Sequence, residues 1–538
     1  MTHPLTTPAE ESGGAEVRYS HPRALAPSNL ILVILLSIFG AIVGIQMLAS
    51  LGITPSTSLI GALAAMSLSR LPLRLFKGFR SIHVQILAQT SISSATFGAA
   101  NSLFLPIGIP WLFGLPEMVA PMLVGISLAM LLDGWLLYRM YDTPAFPASN
   151  PWPPGVAAAE AIRAGDKGGK QAWTLLVGLL TGAAGALLHL PMSAFGVALI
   201  GGFGAMAAFG VGLVIRGYSE AWFGLNISAM YLPHGMMIGA GLVALFQVSR
   251  IIFRQGSPRR SSTTAADKDS ARLSKAMRLG ALGYLGIMIL LCIGTGLYTQ
   301  MTPTMLLCFV LYGAFVAFVH ELIVGIAAMH SGWFPAFAVA LITLLIGMLL
   351  GFPPVALVVL AGFSTATGPA FADMGFDLKT GTILRAGEGE AFDLAGRKEQ
   401  LIAAMIGFAV AIVVVALSYH LYFSRGEFAP INAAYVATIN AGISADVAWK
   451  LAMWAIPGAI LQFVGGSRQQ LGVLFATGLL IASPLAGWMV LSGILVRMLV
   501  NRFVAPARRK DLEVFAGGVI AGDALLSFFS SAIGALRK

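Results

Sequence analysis

Apolar stretches about 20 residues long, the length a helix needs to cross the hydrocarbon core of a bilayer, recur along almost the whole chain. They run at 28–51, 54–70, 83–106, 117–139, 171–190, 192–215 and 226–248, and again at 279–298, 304–329, 334–351, 353–372, 400–423, 446–464, 471–499 and 512–534. Lipid offers the backbone no hydrogen-bond partner, so segments of this length satisfy their own N–H and C=O groups as helices. The expected fold is an all-α polytopic membrane protein of about 14–16 transmembrane helices, some short or broken. Two weaker apolar pieces, 106–116 and 431–445, are short and read as re-entrant segments or short half-helices.

Composition agrees. Charged residues make up 10% of the chain, against roughly 25% in soluble domains, which excludes an ordinary soluble enzyme. The net charge of +10 comes from basic residues clustered beside spans, a membrane-topology pattern and not a nucleic-acid surface. Cys292 and Cys308 both lie in apolar segments and have neither disulfide nor metal-ligand spacing. No GxxxxGK[ST] motif is present, so ATP is not the energy source on this chain. No cofactor and no metal site are expected.

Charge also divides the chain. Residues 1–27, with Glu10, Glu11 and Glu16 and no apolar core, read as a disordered cytoplasmic tail. A transmembrane half follows at 28–249, then a basic cytoplasmic linker at 250–278, then a second transmembrane half at 279–538. The basic loop 70–80 places the tail and the linker on the same cytoplasmic side. Seven spans precede the linker where an even number is needed, so one further short crossing is expected near 106–116 or 217–231. The halves are related: 121–125 with 403–407, and 238–246 with 520–528, share an offset of about 282, the pattern of repeat transporters that bind substrate near the midplane between repeats.

Ionisable residues inside such segments are the functional candidates, because a charge at membrane depth costs about 2.5–3.5 kcal/mol on insertion scales. Asp373, Asp377 and Lys379 form the densest group, and a Lys379–carboxylate pair released by protonation is one expectation for them; interfacial anchoring is the other. Glu321 and His320 lie mid-span, as a proton site and a relay or as a buried polar network. The same stretch lacks a zinc-protease HExxH motif because Val324 stands where the second His is needed. Asp133 and Asp523 are lone acids in apolar segments, and Arg139 is near enough in sequence to pair with Asp133. These six, Glu321, Asp373, Asp377, Lys379, Asp133 and Asp523, are the proton-coupling candidates. His234 follows Pro233 and precedes Gly235, a spacing that predicts a helix broken at 231–235. Gln85, Gln89 and Asn101 belong to an unusually polar span; with Tyr218, Asn226, Tyr231, His234 and His320 they make up the candidate substrate path. His83, His189, His330 and His420 read as interfacial anchors.

Three segments resemble a known family. Asp377-Leu378-Lys379-Thr380-Gly381 followed by Arg397-Lys398-Glu399-Gln400, the segment Pro151–Gly165, and Gly517-Gly518-Val519-Ile520-Ala521-Gly522-Asp523 are similar to motifs of the oligopeptide transporter family, which includes the yellow-stripe-like metal-chelate transporters. The likeness is to a bacterial-type member: Pro154 stands where the family's proline loop has Glu, and the Asn-Pro-Gly and Lys-Ile-Pro-Pro-Arg motifs of the eukaryotic peptide branch are absent. The resemblance implies a proton-coupled secondary carrier, not an enzyme. Its partners would be protons, the lipid bilayer, and a peptide, peptide-like or metal–chelate substrate; its place would be the bacterial inner membrane, multi-pass, N-terminus inside. Monomer and homo-oligomer both stay open. The competing classes are a channel-like passive pore and a membrane enzyme acting on a lipid-linked substrate.

Overall fold

The computed structural model describes residues 21–52, 81–150, 152–166, 170–255, 264–331, 336–442, 445–481, 483–503, 511–520, 522–523 and 526. The expected span 54–70, the basic loop 70–80, most of the tail and the end of the last span lie outside the described residues.

The chain begins with α1 (Pro27–Leu51) and α2 (Ile82–Phe97), and a π-helical segment, Gly98–Phe104, leads directly into α3 (Leu105–Phe113). Next come α4 (Val119–Met140), α5 (Pro153–Asp166), α6 (Lys170–Leu187), α7 (Met192–Ile200), α8 (Phe203–Phe223), α9 (Leu232–Gln255) and α10 (Thr264–Gly294). The second part holds α11 (Pro303–Ser331), α12 (Ala336–Leu349), α13 (Pro354–Ala366), α14 (Pro369–Leu384), α15 (Glu390–Phe423), α16 (Asn432–Ala441), α17 (Ala445–Gln469), α18 (Leu471–Leu480) and α19 (Pro484–Phe503). There is no strand among the described residues. Nine described helices are long and apolar enough to cross a membrane, so the fold is the expected all-α polytopic one.

Several expected spans are built from two pieces. The stretch 192–215 divides into α7 and α8 at Gly201–Gly202, both in extended backbone. The stretch 471–499 divides into α18 and α19, with Pro484 opening α19; a proline drives the residue before it out of the helical region. The same rule breaks 353–372 between α13 and α14, where Thr367 is extended and Gly368, at φ +100°, precedes Pro369. Only a residue without Cβ adopts that φ freely.

Two expectations about short pieces are corrected. Residues 106–113 are no separate crossing: they continue α2 through the π segment. Pro106 has no N–H to offer the carbonyl one turn back, and an irregular turn upstream of it is the consequence. The 231–235 segment is not a broken helix. Tyr231 sits at φ 58° and α9 starts at Leu232, so Pro233 occupies the first turn, where a missing N–H costs nothing. The basic linker is mainly helical at its ends, with α9 reaching Gln255 and α10 starting at Thr264; Arg272 on α10 donates to the Tyr141 carbonyl at 2.8 Å.

Two stretches are enclosed most completely. The window within Ile82–Phe113 is wholly buried, and that within Pro354–Leu384 is 94% buried. They pack on each other through α2 and α14, with α4, α5 and α15 around them. Farther out, α9 lies along α17, α8 along α18, and α19 along α7. The short-then-long order α7–α8 recurs as α18–α19, and α5–α6 recurs as α16–α17.

Candidate functional site

The site grows from α14. Asp373 and Asp377 are four residues apart and therefore share one face of the helix, and that face meets α2. The polar span supplies what the acids need. Gln89 Nε2 donates to Asp377 Oδ1 at 2.6 Å, Ser94 Oγ to Asp377 Oδ2 at 3.3 Å, and Ser93 Oγ to Asp373 Oδ1 at 2.7 Å. Both acids and all three partners are fully buried. A buried carboxylate without donors is costly, and each hydrogen bond to a charged group contributes roughly 1.5–3 kcal/mol. Gln89, Ser93 and Ser94 of the polar run in α2 thus receive α14.

Behind the acids a second layer fixes the helix. Gln400 on α15 donates to the Asp377 carbonyl at 2.7 Å and to Thr90 Oγ1 at 3.0 Å, and its Oε1 accepts from Arg385 Nη2 at 2.9 Å. Arg385 is itself buried and pairs with Asp393 at 2.9 Å; Asp393 also pairs with Arg397 at 2.7 Å, and Arg397 reaches Asp142 at 3.0 Å. On the opposite face of α14 the fully buried Trp152 ring lies over Gly375, where a Cβ would sit 2.0 Å from the ring. Thr380 Oγ1 donates to the Gly155 carbonyl at 3.0 Å. The Pro151–Gly165 segment singled out in the sequence is therefore the clamp on the back of the acid helix.

Lys379 does not pair with Asp373 or Asp377 in this structure. Its Nζ donates to the Ala148 carbonyl at 2.7 Å, on the side of the clamp. The position four residues before Lys379 on the same helix face is Gly375, which offers no acid; Asp377 is only two residues away and faces elsewhere on the helix.

A second group surrounds the α13–α14 break. Asp133, fully buried on α4, accepts Gly368 N–H at 2.8 Å through Oδ2 and the Tyr284 hydroxyl at 2.5 Å through Oδ1. The expected Asp133–Arg139 pair is not what holds it. Glu321 is fully buried beside Asp133 and Tyr284, both of which act on it. The Tyr284 hydroxyl donates to Asp133 and lies close enough to Glu321 to act on it, while neither Glu321 carboxyl oxygen meets a donor in full hydrogen-bond geometry. His320 Nδ1 faces Ser364 Oγ at 3.3 Å and Thr367 Oγ1 at 3.5 Å, the last turn before the break.

The remaining candidates fall elsewhere. Asp523 accepts Ser193 N–H at 2.6 Å at the start of α7. Tyr218 accepts from Trp488 at 3.3 Å, and the exposed Asn226 caps Ala229 at 3.1 Å. Tyr231 and His234 lie together, ring centroids 5.6 Å apart, at the start of α9, which packs on α17, α18 and α12 and not on α2 or α14. Asn101 sits in the π segment and donates to the Phe97 carbonyl at 3.4 Å; Gln85 is buried on α2, one turn before Gln89. Tyr284, Arg385 and the serines' exact partners were not legible beforehand. Tyr284 is one tyrosine in the apolar stretch that ends its helix, whereas Arg385, alone between two acidic stretches, carried some signal.

Among the described residues no group of three or more His, Cys, Asp or Glu side chains is arranged to hold a metal ion. Buried acids on facing, interrupted helices within an apolar bundle define a multi-pass membrane transporter. The family model of the OPT oligopeptide transporter protein matches residues 27–253 and 192–533. The chain belongs to this oligopeptide transporter family. No curated protein matches it.

Proposed function

We propose that this transporter is a proton-coupled secondary carrier of the cell membrane, which moves oligopeptides, peptide-like molecules or metal–chelate complexes by alternating access. One observation carries the reading: the partners that α2 offers to Asp373 and Asp377 are neutral side chains, Gln89, Ser93 and Ser94. A hydroxyl donates to a carboxylate and accepts from a carboxylic acid by rotating about its C–O bond, so these acids gain and lose a proton without losing their partners. A lysine pair would fix the charge instead. Asp133 and Glu321 at the helix break are the further coupling acids. Asp523, which accepts the Ser193 N–H at the start of α7, is the remaining coupling candidate.

The recurring element order supports two related halves joined through α10, with the N-terminus on the cytoplasmic side by the basic-loop rule. Interrupted helices at the centre are where repeat carriers place substrate. The Gln85–Gln89–Asn101 line of α2 and its π segment is the polar surface facing that region, with His320 on the far side of α14.

Uptake by proteoliposomes tests this. Radiolabelled short peptides and metal chelates, each offered with the outside acidic, are expected to accumulate, to saturate with concentration, and to lose accumulation on adding a protonophore. Flux that neither saturates nor responds to the pH gradient would establish a passive pore instead.

A further inference from the structure

We infer that Asp133, Tyr284 and Glu321 form a single proton site in which Tyr284 is the relay between the two acids, and the break at Gly368 is what the site controls. The inference rests on the proton-coupled reading above and assigns its coupling ion to one set of atoms.

The argument starts from donors. Asp133 accepts two hydrogen bonds, one to each oxygen, from Tyr284 and from Gly368 N–H. Gly368 stands immediately before α14, so Asp133 also faces the positive end of that helix. Two donors therefore offset the cost of burying its charge. Glu321 is as deeply buried, but neither of its oxygens meets a donor in full hydrogen-bond geometry although Tyr284 lies alongside, and Asp133 is its charged neighbour. The charged form of Glu321 is the more poorly held of the two, so Glu321 carries the proton. The titratable groups acting on it are Asp133 from α4 and Tyr284 from α10; α13 and α14 bring the Ser364 and Thr367 hydroxyls, directed at His320, and the Gly368 amide.

Tyr284 can join the two. Its hydroxyl hydrogen points to Asp133, which leaves its oxygen lone pairs for the Glu321 proton. A small turn of the Glu321 carboxyl completes a chain: Glu321 O–H to Tyr284 Oη, and Tyr284 O–H to Asp133 Oδ1. Transfer along it breaks the Glu321 O–H bond, forms one at Tyr284 Oη, breaks the original Tyr284 O–H bond and forms one at Asp133 Oδ1. One proton moves from acid to acid, Tyr284 ends as it began, and no heavy atom needs to travel. Its arrival neutralises Asp133. The bond from Gly368 N–H then loses its charge assistance, which is about half the strength of such a bond. The residue released is the one at φ +100° that separates α13 from α14, so loading the site loosens the joint of the helix that carries Asp373 and Asp377.

Infrared difference spectroscopy of the purified full-length protein, with protons and no substrate, tests this. The difference spectrum of wild type minus Glu321→Gln, which cancels the bands of Asp373 and Asp377, is expected to contain a protonated-carboxyl C=O band at neutral pH that persists in Asp133→Asn and shifts in Tyr284→Phe, which keeps the ring and removes the relay. A difference spectrum without that band, or a band unmoved in Tyr284→Phe, overturns the proposal. Replacing choline chloride with sodium chloride at fixed pH, on wild type alone, is expected to leave the band unchanged; bleaching by sodium would make this a metal-cation site and overturn the proton assignment. The outcomes separate from those of the uptake assay. The band pattern without pH-driven uptake leaves this site intact and ends the coupling reading; driven uptake without the pattern does the reverse.

Discussion

Gln89 on α2 and Asp377 on α14 are joined by a 2.6 Å hydrogen bond between fully buried side chains 288 residues apart in the chain. The contact ties the two most enclosed helices to each other through an acid. Its two members are expected to respond differently to substitution. Gln89→Ala removes a donor and leaves the acid underserved, costing about 1.5–3 kcal/mol, read as a lower Tm. Asp377→Asn keeps a hydrogen-bonding side chain of the same shape and should cost less than about 1 kcal/mol. It is nevertheless expected to reduce pH-driven uptake at least about tenfold, the equivalent of roughly 1.4 kcal/mol. Equal effects of both variants on Tm and on uptake would show a purely structural acid.

Trp152 and Gly375 set the position of the acid helix from behind. With a Cβ at 375 falling 2.0 Å from the indole ring, Gly375→Ala should destabilise by about 1–3 kcal/mol or more, as overpacked sites do. Trp152→Ala should cost about 3–5 kcal/mol through the cavity it leaves. The double variant Gly375→Ala/Trp152→Ala is expected to be more stable than the two single effects added together, since the residues are in contact. Additive Tm changes would mean that the clamp does not bear on α14.

Lys379 donates to a backbone carbonyl and not to a carboxylate. Lys379→Met is therefore expected to lower stability by about 1 kcal/mol and to leave the pH at which driven uptake is half-maximal unchanged. A displaced midpoint would place the ammonium beside Asp373 or Asp377 during transport and restore the salt-bridge switch.

His21 gives a pH dependence outside the membrane spans. Burial above all lowers its pKa from the usual value to about 4; the bond to the Pro22 carbonyl opposes this, the neighbouring Arg385 and His83 lower it further, and Asp393 raises it least. It packs with His83 and Phe392, and the adjoining Ala24 N–H donates to Glu399 at 2.7 Å. The depressed pKa means the packed form requires neutral His21. Its stabilising contribution is complete above about 6.5, the ordinary histidine value, and declines as pH falls toward 4. Hydrogen exchange of residues 21–26, corrected for intrinsic rates, is expected to show protection at pH 7 that falls away by pH 4.5, and His21→Phe should abolish the dependence. Unchanged protection in the wild type between those values would contradict it.

The helical class was legible because membrane length and apolarity leave little choice: α1, α4 and α15 fall where the apolar runs place them. The divided spans were less so. An apolar run reports depth in lipid but not continuity, and the punctuation at Gly201–Gly202, Pro369 and Pro484 is weak beside so many apolar neighbours. Of the site, Asp373, Asp377, Gln89, Asp133, Glu321 and His320 could be named as candidates because polar atoms in an apolar run are conspicuous. Their partnerships could not be, since each joins helices far apart in the chain. Tyr284 escaped because a tyrosine is unremarkable in an apolar helix, and Tyr218 and Asn226 were drawn in by polarity alone.

The most direct test of the account is lumenal acidification in proteoliposomes loaded with a pH-sensitive dye, challenged externally with the short peptides and metal chelates that wild-type protein accumulates. The account predicts that substrate addition acidifies the lumen with wild-type protein and with Lys379→Met, and that Glu321→Gln takes up no protons while retaining exchange of labelled for unlabelled substrate. Acidification by Glu321→Gln equal to that of the wild type would contradict it.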